Sequence, residues 1–208
     1  MKFIRWILNL FTPKKPLEEV IITPKNPLEE IPTKEEVESF PNIKLDAHRV
    51  QEIKRTCETF YKNQERYRVV SVACGVPEKL IFALHYRESS LSFSGVLHNG
   101  ERILGTGRKT QLVPKGRGPF TTWEEAAIDA LMLKKNIFPK AWDFKSMCDL
   151  AEKFNGMGYA RRGELSPYVW AGTERHDETG KYVADGKYSS TAIEKQLGVA
   201  ALLIELGV

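Results

Sequence analysis

The chain has 208 residues, of which 42% are hydrophobic and 28% charged, and a formal net charge of +4. That length supports one domain of ordinary size plus an appendage. The charge is too small to be a nucleic-acid signature by itself and also suits an anionic polymer. Three widely spaced cysteines, Cys57, Cys74 and Cys148, show no CxxC or Cys/His ligand spacing. They are expected to be buried free thiols, which favours a reducing compartment, with a single disulfide as the alternative.

The first eleven residues, "MKFIRWILNLF", place Lys2 and Arg5 around an apolar stretch too short to span a bilayer. They resemble a stunted signal sequence, but "FTPKKP" follows where a small-residue cleavage site should be. On a helix, Phe3, Ile7 and Leu10 share a face with Trp6 beside them. Two readings follow: a short interfacial membrane anchor, or a tail that is disordered or packed on the domain. Residues 12–42 contain the short repeat "TPKKPLEEV" and "TPKNPLEEI", with prolines at 13, 16, 24, 27, 32 and 41. Such proline density forbids regular structure and reads as an extended tether. The folded domain is expected over residues 43–208.

Within it the pattern is mainly helical. Val50, Ile53, Cys57 and Phe60 recur at helical spacing within residues 46–70, and Gly75 interrupts. Pro77 suits the first turn of a second helix with Leu80, Ile81 and Leu84 on its apolar side, ending near Glu88. Residues 91–121 are rich in Gly, Ser, Thr and Pro and hold two β-like pieces, "ERIL" and "TQLVP". They read as an irregular lobe with a small hairpin. Thr122 and Glu125 form a capping box for "WEEAAIDALMLKK". Another helix is expected over 144–154, then a loop-rich stretch over 156–189. Thr191 and Glu194 are read as the cap of a final helix, "AIEKQLGVAALLIEL". The fold class is therefore mainly α, or α+β, with one helical core and one small irregular or β-containing lobe.

Glu88, in "FALHYRESSLSF", lies about one helical turn past Leu84 and two past Ile81, at the inner edge of a helix C-terminus. Helix carbonyls and apolar surroundings both favour its protonated form, which a general acid needs near neutral pH. The alternative is a surface carboxylate paired with Arg87 or Lys79. In "EKFNGMGY", Asn155 and Tyr159 flank two glycines; Asn offers a donor and an acceptor to sugar hydroxyls and N-acetyl groups. In "SPYVWAGT", Tyr168 and Trp170 offer faces on which sugars stack, or else form a hydrophobic plug under a loop.

A helix ending in "RESS", followed much later by "FNGMGY", resembles the lysozyme-like superfamily, with goose-type lysozymes and soluble lytic transglycosylases as the nearest pattern. The resemblance spans roughly residues 70–205. It implies a lysozyme-like fold in which Glu88, followed by Ser89, is the catalytic acid. Asn155, Gly156 and Tyr159 would line the sugar cleft, with Ser89, Tyr168 and Trp170 as further substrate contacts. No "GLMQ"-type segment follows the glutamate; "LHNGERILGTGRKTQLVP" stands there and leaves room for hydrolysis.

The implied activity is a muramidase that hydrolyses the β-1,4 bond between N-acetylmuramic acid and N-acetylglucosamine in peptidoglycan, as in a phage endolysin or virion-associated lysozyme. Glycosidases commonly add a second carboxylate about 5–5.5 Å away for retention or about 6.5–9.5 Å for inversion. Glu101 in the "HNGE" turn is the candidate, with Thr110 as an alternative holder of a water. The alternatives are a lytic transglycosylase, in which the muramic 6-hydroxyl attacks, and a non-catalytic wall-binding or virion structural module. Arg108, Lys109, Lys115 and Arg117 raise a nucleic-acid reading, set aside in favour of a solvated basic loop. His48, His85, His98 and His176 lack zinc spacing, and no phosphate loop or dinucleotide fingerprint occurs, so neither a metal nor a cofactor is expected. The expected partner is peptidoglycan, with no nucleic acid and a monomeric state; inner-membrane association through residues 1–11 belongs to the anchor reading. Such a protein is made in the bacterial host cytoplasm and acts on the wall in the periplasm, or travels in a virion.

Overall fold

A computed structural model describes residues 42–177, 179–184 and 186–208. The expected anchor at 1–11, and the tether up to residue 41, lie outside the described residues.

Helix α1 runs Val50–Cys74 and buries Ile53, Cys57, Phe60, Tyr67 and Val70, a stripe at 3.6-residue spacing. It stops at Gly75, whose left-handed φ of 72° lets its N–H reach the Ser71 carbonyl at 2.8 Å. The helix starts and stops about four residues later than its periodicity suggests. Helix α2, Glu78–Ser89, leaves α1 at a bend of 110° and buries every residue from Leu80 to His85. A helix apolar all round belongs in a core, and α2 packs between α1 and α7 (Val199–Glu205).

The remaining helices cover those three. Helix α3, Trp123–Met132, lies on α1 and starts with the expected capping box. Thr122 Oγ1 accepts from the Glu125 N–H at 3.2 Å, and Glu125 Oε2 accepts from the Thr122 N–H at 3.2 Å. A 3₁₀ turn, Lys135–Ile137, leads to α4, Phe144–Asn155, whose N-terminus is capped by Asp143. Two short helices follow, α5 at Gly158–Arg162 and α6 at Pro167–Trp170; α6 packs on α4 and α7. Phe60, Tyr67, Phe82 and Trp123 knit the centre, with ring centroids 5.5–5.9 Å apart in mostly edge-to-face pairs. Among the described residues no single helix is long and apolar enough to cross a membrane.

Mainly helical architecture with a small antiparallel sheet agrees with the expected class, but the sheet is elsewhere. It pairs β1, Thr179–Ala184, with β2, Lys187–Ile193. "ERIL" and "TQLVP" are irregular: the N–H groups of Gln111 and Leu112, which a ladder would use, go to the Glu101 carboxylate instead. The final helix is also shorter than expected. Residues 191–193 belong to β2, and α7 begins only after Gly198. A Cβ at 198 would sit 2.4 Å from the Val169 carbonyl oxygen, so glycine permits the close crossing of α6 that turns the chain into α7. Glu194 does not cap; it pairs with Arg87.

All three cysteines are free, Cys57 and Cys148 buried and Cys74 half-buried. Burial pushes the Cys57 and Cys148 thiols up to about 12, which leaves them inert packing groups.

Replacing the Thr122 cap by alanine is expected to lower stability by about 1 kcal/mol without changing the fold. Urea titration followed by circular dichroism measures it; an unchanged midpoint contradicts the capping role.

Candidate active site at the end of helix α2

Past His85 the helix α2 emerges from the core, and Tyr86–Ser89 are half-buried. Ser90 and Leu91 then take left-handed φ values of 51° and 62°, a conformation that costs non-glycine residues of order 1 kcal/mol each. A strap from the far end of the chain holds this turn. Gln196 Nε2 donates to the Tyr86 and Arg87 carbonyls, each at 3.4 Å, and contacts Ser90 Oγ at 3.3 Å. The Leu197 N–H donates to the Tyr86 hydroxyl at 3.2 Å. Ser89, expected to face substrate, has its hydroxyl on the His85 and Ser92 carbonyls at 3.3 and 3.2 Å. It serves the turn.

Glu88 is the penultimate residue of α2. Burial pushes its carboxyl up from the ordinary value to about 7, against the opposing pull of Tyr168, Arg87 and Lys134. The Tyr168 hydroxyl donates to Glu88 Oε1 at 2.7 Å. That hydroxyl stays protonated, because burial and the neighbouring carboxylate raise its own pKa well above the usual phenol range. The Tyr168 ring in turn lies under the Arg87 guanidinium, 4.7 Å from the ring centre. Arg87 is held by the Leu197 carbonyl at 3.1 Å and by Glu194 at 3.6 Å, and Lys181 reaches the same Glu194 oxygen at 3.6 Å. A continuous polar chain therefore runs from strand β1 through Glu194 and Arg87 to Tyr168 and Glu88.

The lobe closes on the same helix end. A Cβ on Gly100 would lie 2.5 Å from the Glu88 carbonyl oxygen, and one on Gly95 would lie 2.9 Å from Ser89 Cβ. Gly100 also has φ of 76°. Glycine at both positions lets the "HNGE" turn rest on the Glu88–Ser89 backbone. Glu101 follows, but its carboxylate is engaged by the lobe. It accepts from the N–H groups of Gln111 and Leu112 at 2.9 Å and from Asn99 Nδ2 at 2.8 Å. Desolvation raises its pKa, yet these donors outweigh it and hold the group below the usual range. Thr110 is buried; its Oγ1 donates to the Pro114 carbonyl at 2.5 Å and accepts from the Arg117 N–H at 2.9 Å. Both residues expected to hold a catalytic water are thus framework of the lobe.

The "FNGMGY" segment divides. Asn155 ends α4 and is exposed, while Gly156 continues the turn with φ of 106°. Next to Asn155, the Phe154 ring lies 5.7 Å from Lys134 Nζ. Tyr159 is buried and its hydroxyl accepts from the Tyr182 N–H at 3.0 Å, so it anchors the hairpin. Trp170 is half-buried with Arg175 at 4.8 Å from its ring centre. Of the expected set, the structure brings Tyr168 into contact with Glu88 and the lobe turn against its backbone. Arg87, Lys134, Glu194 and Gln196 were not singled out as site residues by the sequence. The signal available for Glu194 was a lone acid before an apolar run, which reads equally well as a helix cap.

The two described concavities lie elsewhere. One of about 410 Å³ sits between the 3₁₀ turn and α4, the other of about 520 Å³ between α1, α2 and the chain end at Leu206. Among the described residues no group of three or more His, Cys, Asp or Glu could hold a metal ion. Glu88, with one oxygen fixed by Tyr168 and the other left to carry a proton, can donate that proton near neutral pH.

A raised carboxyl pKa has a sign for stability. The Glu88 contribution is fully present below its unfolded value near 4.5 and is lost as pH rises toward about 7. Glu88→Gln removes that loss. The variant is expected to gain up to about 3 kcal/mol over the parent above pH 7 and to match it near pH 4. Thermal melts across pH measure this; parallel curves for the two proteins would sink the buried-acid assignment.

No family model, no curated protein and no solved structure matches the chain.

Proposed function

We propose that the described domain cleaves the β-1,4 glycosidic bond of peptidoglycan, with Glu88 as general acid. One observation carries the reading: a carboxyl whose pKa burial lifts to about 7, at the exit of a core helix, hydrogen-bonded by a tyrosine that cannot itself ionise. The resemblance of "RESS" and "FNGMGY" to the lysozyme-like pattern supplies the substrate class. Glu88 protonates the glycosidic oxygen as the bond to the anomeric carbon breaks. In the muramidase form a water then attacks that carbon.

The environment of Glu101 favours a second form. Three N–H donors already occupy its carboxylate, so it is poorly placed to activate a water. A lytic transglycosylase needs no second carboxylate, because Glu88 acts first as acid and then as base while the muramic 6-hydroxyl attacks. A non-catalytic wall-binding module would retain the fold without using the raised acid.

Glu88→Gln is expected to cut release of soluble wall fragments by about 10²–10⁴-fold while purified wall still binds; retained release would refute the catalytic assignment. Tyr168→Phe removes a hydrogen bond that favours the charged carboxylate. The alkaline limb of the pH–rate profile, expected near pH 7 from Glu88, should therefore move upward in this variant. A limb that stays in place or moves down contradicts the Tyr168 contact. Mass spectrometry of the fragments separates the two forms: anhydro-muramic ends report transglycosylation, and reducing ends report hydrolysis.

A further inference from the structure

Between Glu101 and Glu124 the chain contains five cations, Arg102, Arg108, Lys109, Lys115 and Arg117, and no Asp or Glu. Arg117 is taken up by Asp129, with Nε at 2.9 Å from its carboxylate, and Arg108 leans on the Arg102 carbonyl at 3.2 Å. Arg102, Lys109 and Lys115 are exposed and have no carboxylate partner among the described residues. At the apex between the two lysines, Leu112 is 58% exposed and Val113 79% exposed. Two adjacent aliphatic side chains in water thus stand among unpaired cations, and they are more exposed than the other adjacent apolar pair, Met132 at 38% and Leu133 at 44%.

The apex is also prebuilt. Glu101 draws in the Gln111 and Leu112 N–H groups, and Asn99 Nδ2 donates to the Val113 carbonyl at 3.3 Å. Thr110 closes the base: its N–H donates to the Arg117 carbonyl at 3.0 Å, and its carbonyl accepts from the Gly116 N–H at 2.9 Å. These bonds tie much of the loop backbone to the lobe, which reduces the entropy left to lose on docking.

We propose that this loop, residues 108–118, is a docking site for an anionic phospholipid surface. The cations meet the negative headgroups, and Leu112 and Val113 enter the interface between headgroup and acyl chain. A bare polyanion would use the cations and leave the aliphatic pair in water; a lipid surface uses both. The proposal is independent of the chemistry at Glu88, since none of these side chains touches that carboxyl.

The test is sedimentation of the full chain with phosphatidylglycerol vesicles and with phosphatidylcholine vesicles at low ionic strength. The parent protein should partition to the first and not to the second. Lys109→Gln with Lys115→Gln should weaken partitioning by about tenfold or more, each lysine near such a surface being worth roughly fivefold. Leu112→Ser with Val113→Ser should weaken it by about fivefold or more through lost apolar burial. Residues 1–11 are unchanged in every protein compared, and melting temperatures report that the surface variants fold. Parent-like partitioning by either double variant overturns the proposal. So does a result in which only the lysine pair matters and the protein shifts DNA in a salt-sensitive gel, which would identify a polyanion patch instead.

Discussion

Helix α2 is covered on every side from Leu80 to His85, and the rest of the domain is arranged to provide that cover. Helices α1 and α7 form its walls, and the aromatic ring cluster of Tyr67, Phe93 and Trp123 closes around His85. Burial pushes the His85 imidazole down to about 4, so it is neutral at physiological pH, with Nδ1 in a hydrogen bond to the Tyr67 hydroxyl at 3.1 Å. The sealed stretch ends at His85, and the helix leaves the core through its C-terminal turn. Glu88 occupies that turn, three residues after the last sealed position.

Leaving the core there requires charge where solvent is scarce. The side chains of Arg87 and Glu194 are each under a tenth exposed, and a pair so buried is weak evidence for stability because desolvation offsets attraction. Its contribution is better read as geometry. The guanidinium sits over the Tyr168 ring and fixes the hydroxyl that meets Glu88, while Gln196, two residues from Glu194, fastens the helix end. One short segment, residues 194–197, thus determines both the direction of α2 at its exit and the partner of the acid.

Much of this was legible in the sequence wherever local pattern and tertiary packing agree. The α1 stripe, the start and stop of α2, the Thr122–Glu125 box and α4 follow from periodicity and caps. Glu88 stood out because its carboxylate ends an apolar run, and Tyr168 because aromatics in a loop need a reason. What was not legible depended on long-range partners. "ERIL" and "TQLVP" have strand-like composition, but the Glu101 carboxylate takes the N–H groups that a strand would pair. Residues 191–194 look like a helix cap, but β1 lies beside them and Arg87 claims the acid. Each competitor lies beyond the few residues over which periodicity and capping patterns can be read.

Glu88 and Glu101 show how one residue type takes two roles at one junction of the fold. Both lie where the lobe meets α2, and Gly100 places the second directly after the contact with the first. Glu88 receives a single hydroxyl donor and is otherwise desolvated, so the proton stays on to about pH 7. Glu101 receives two backbone N–H donors and an amide, which outweigh desolvation and keep it ionised. Environments that push two carboxyls apart in this way commonly separate an acid from a fixed anion. Here the fixed anion builds the loop, and the loop's glycines seat it on the backbone that carries the acid. Ionised Glu101 accepts its three donors more strongly than the protonated form would, and in the proposed reading it is the protonated form of Glu88 that acts. The two shifts run in opposite directions, so there is a pH range in which Glu101 is charged while Glu88 keeps its proton.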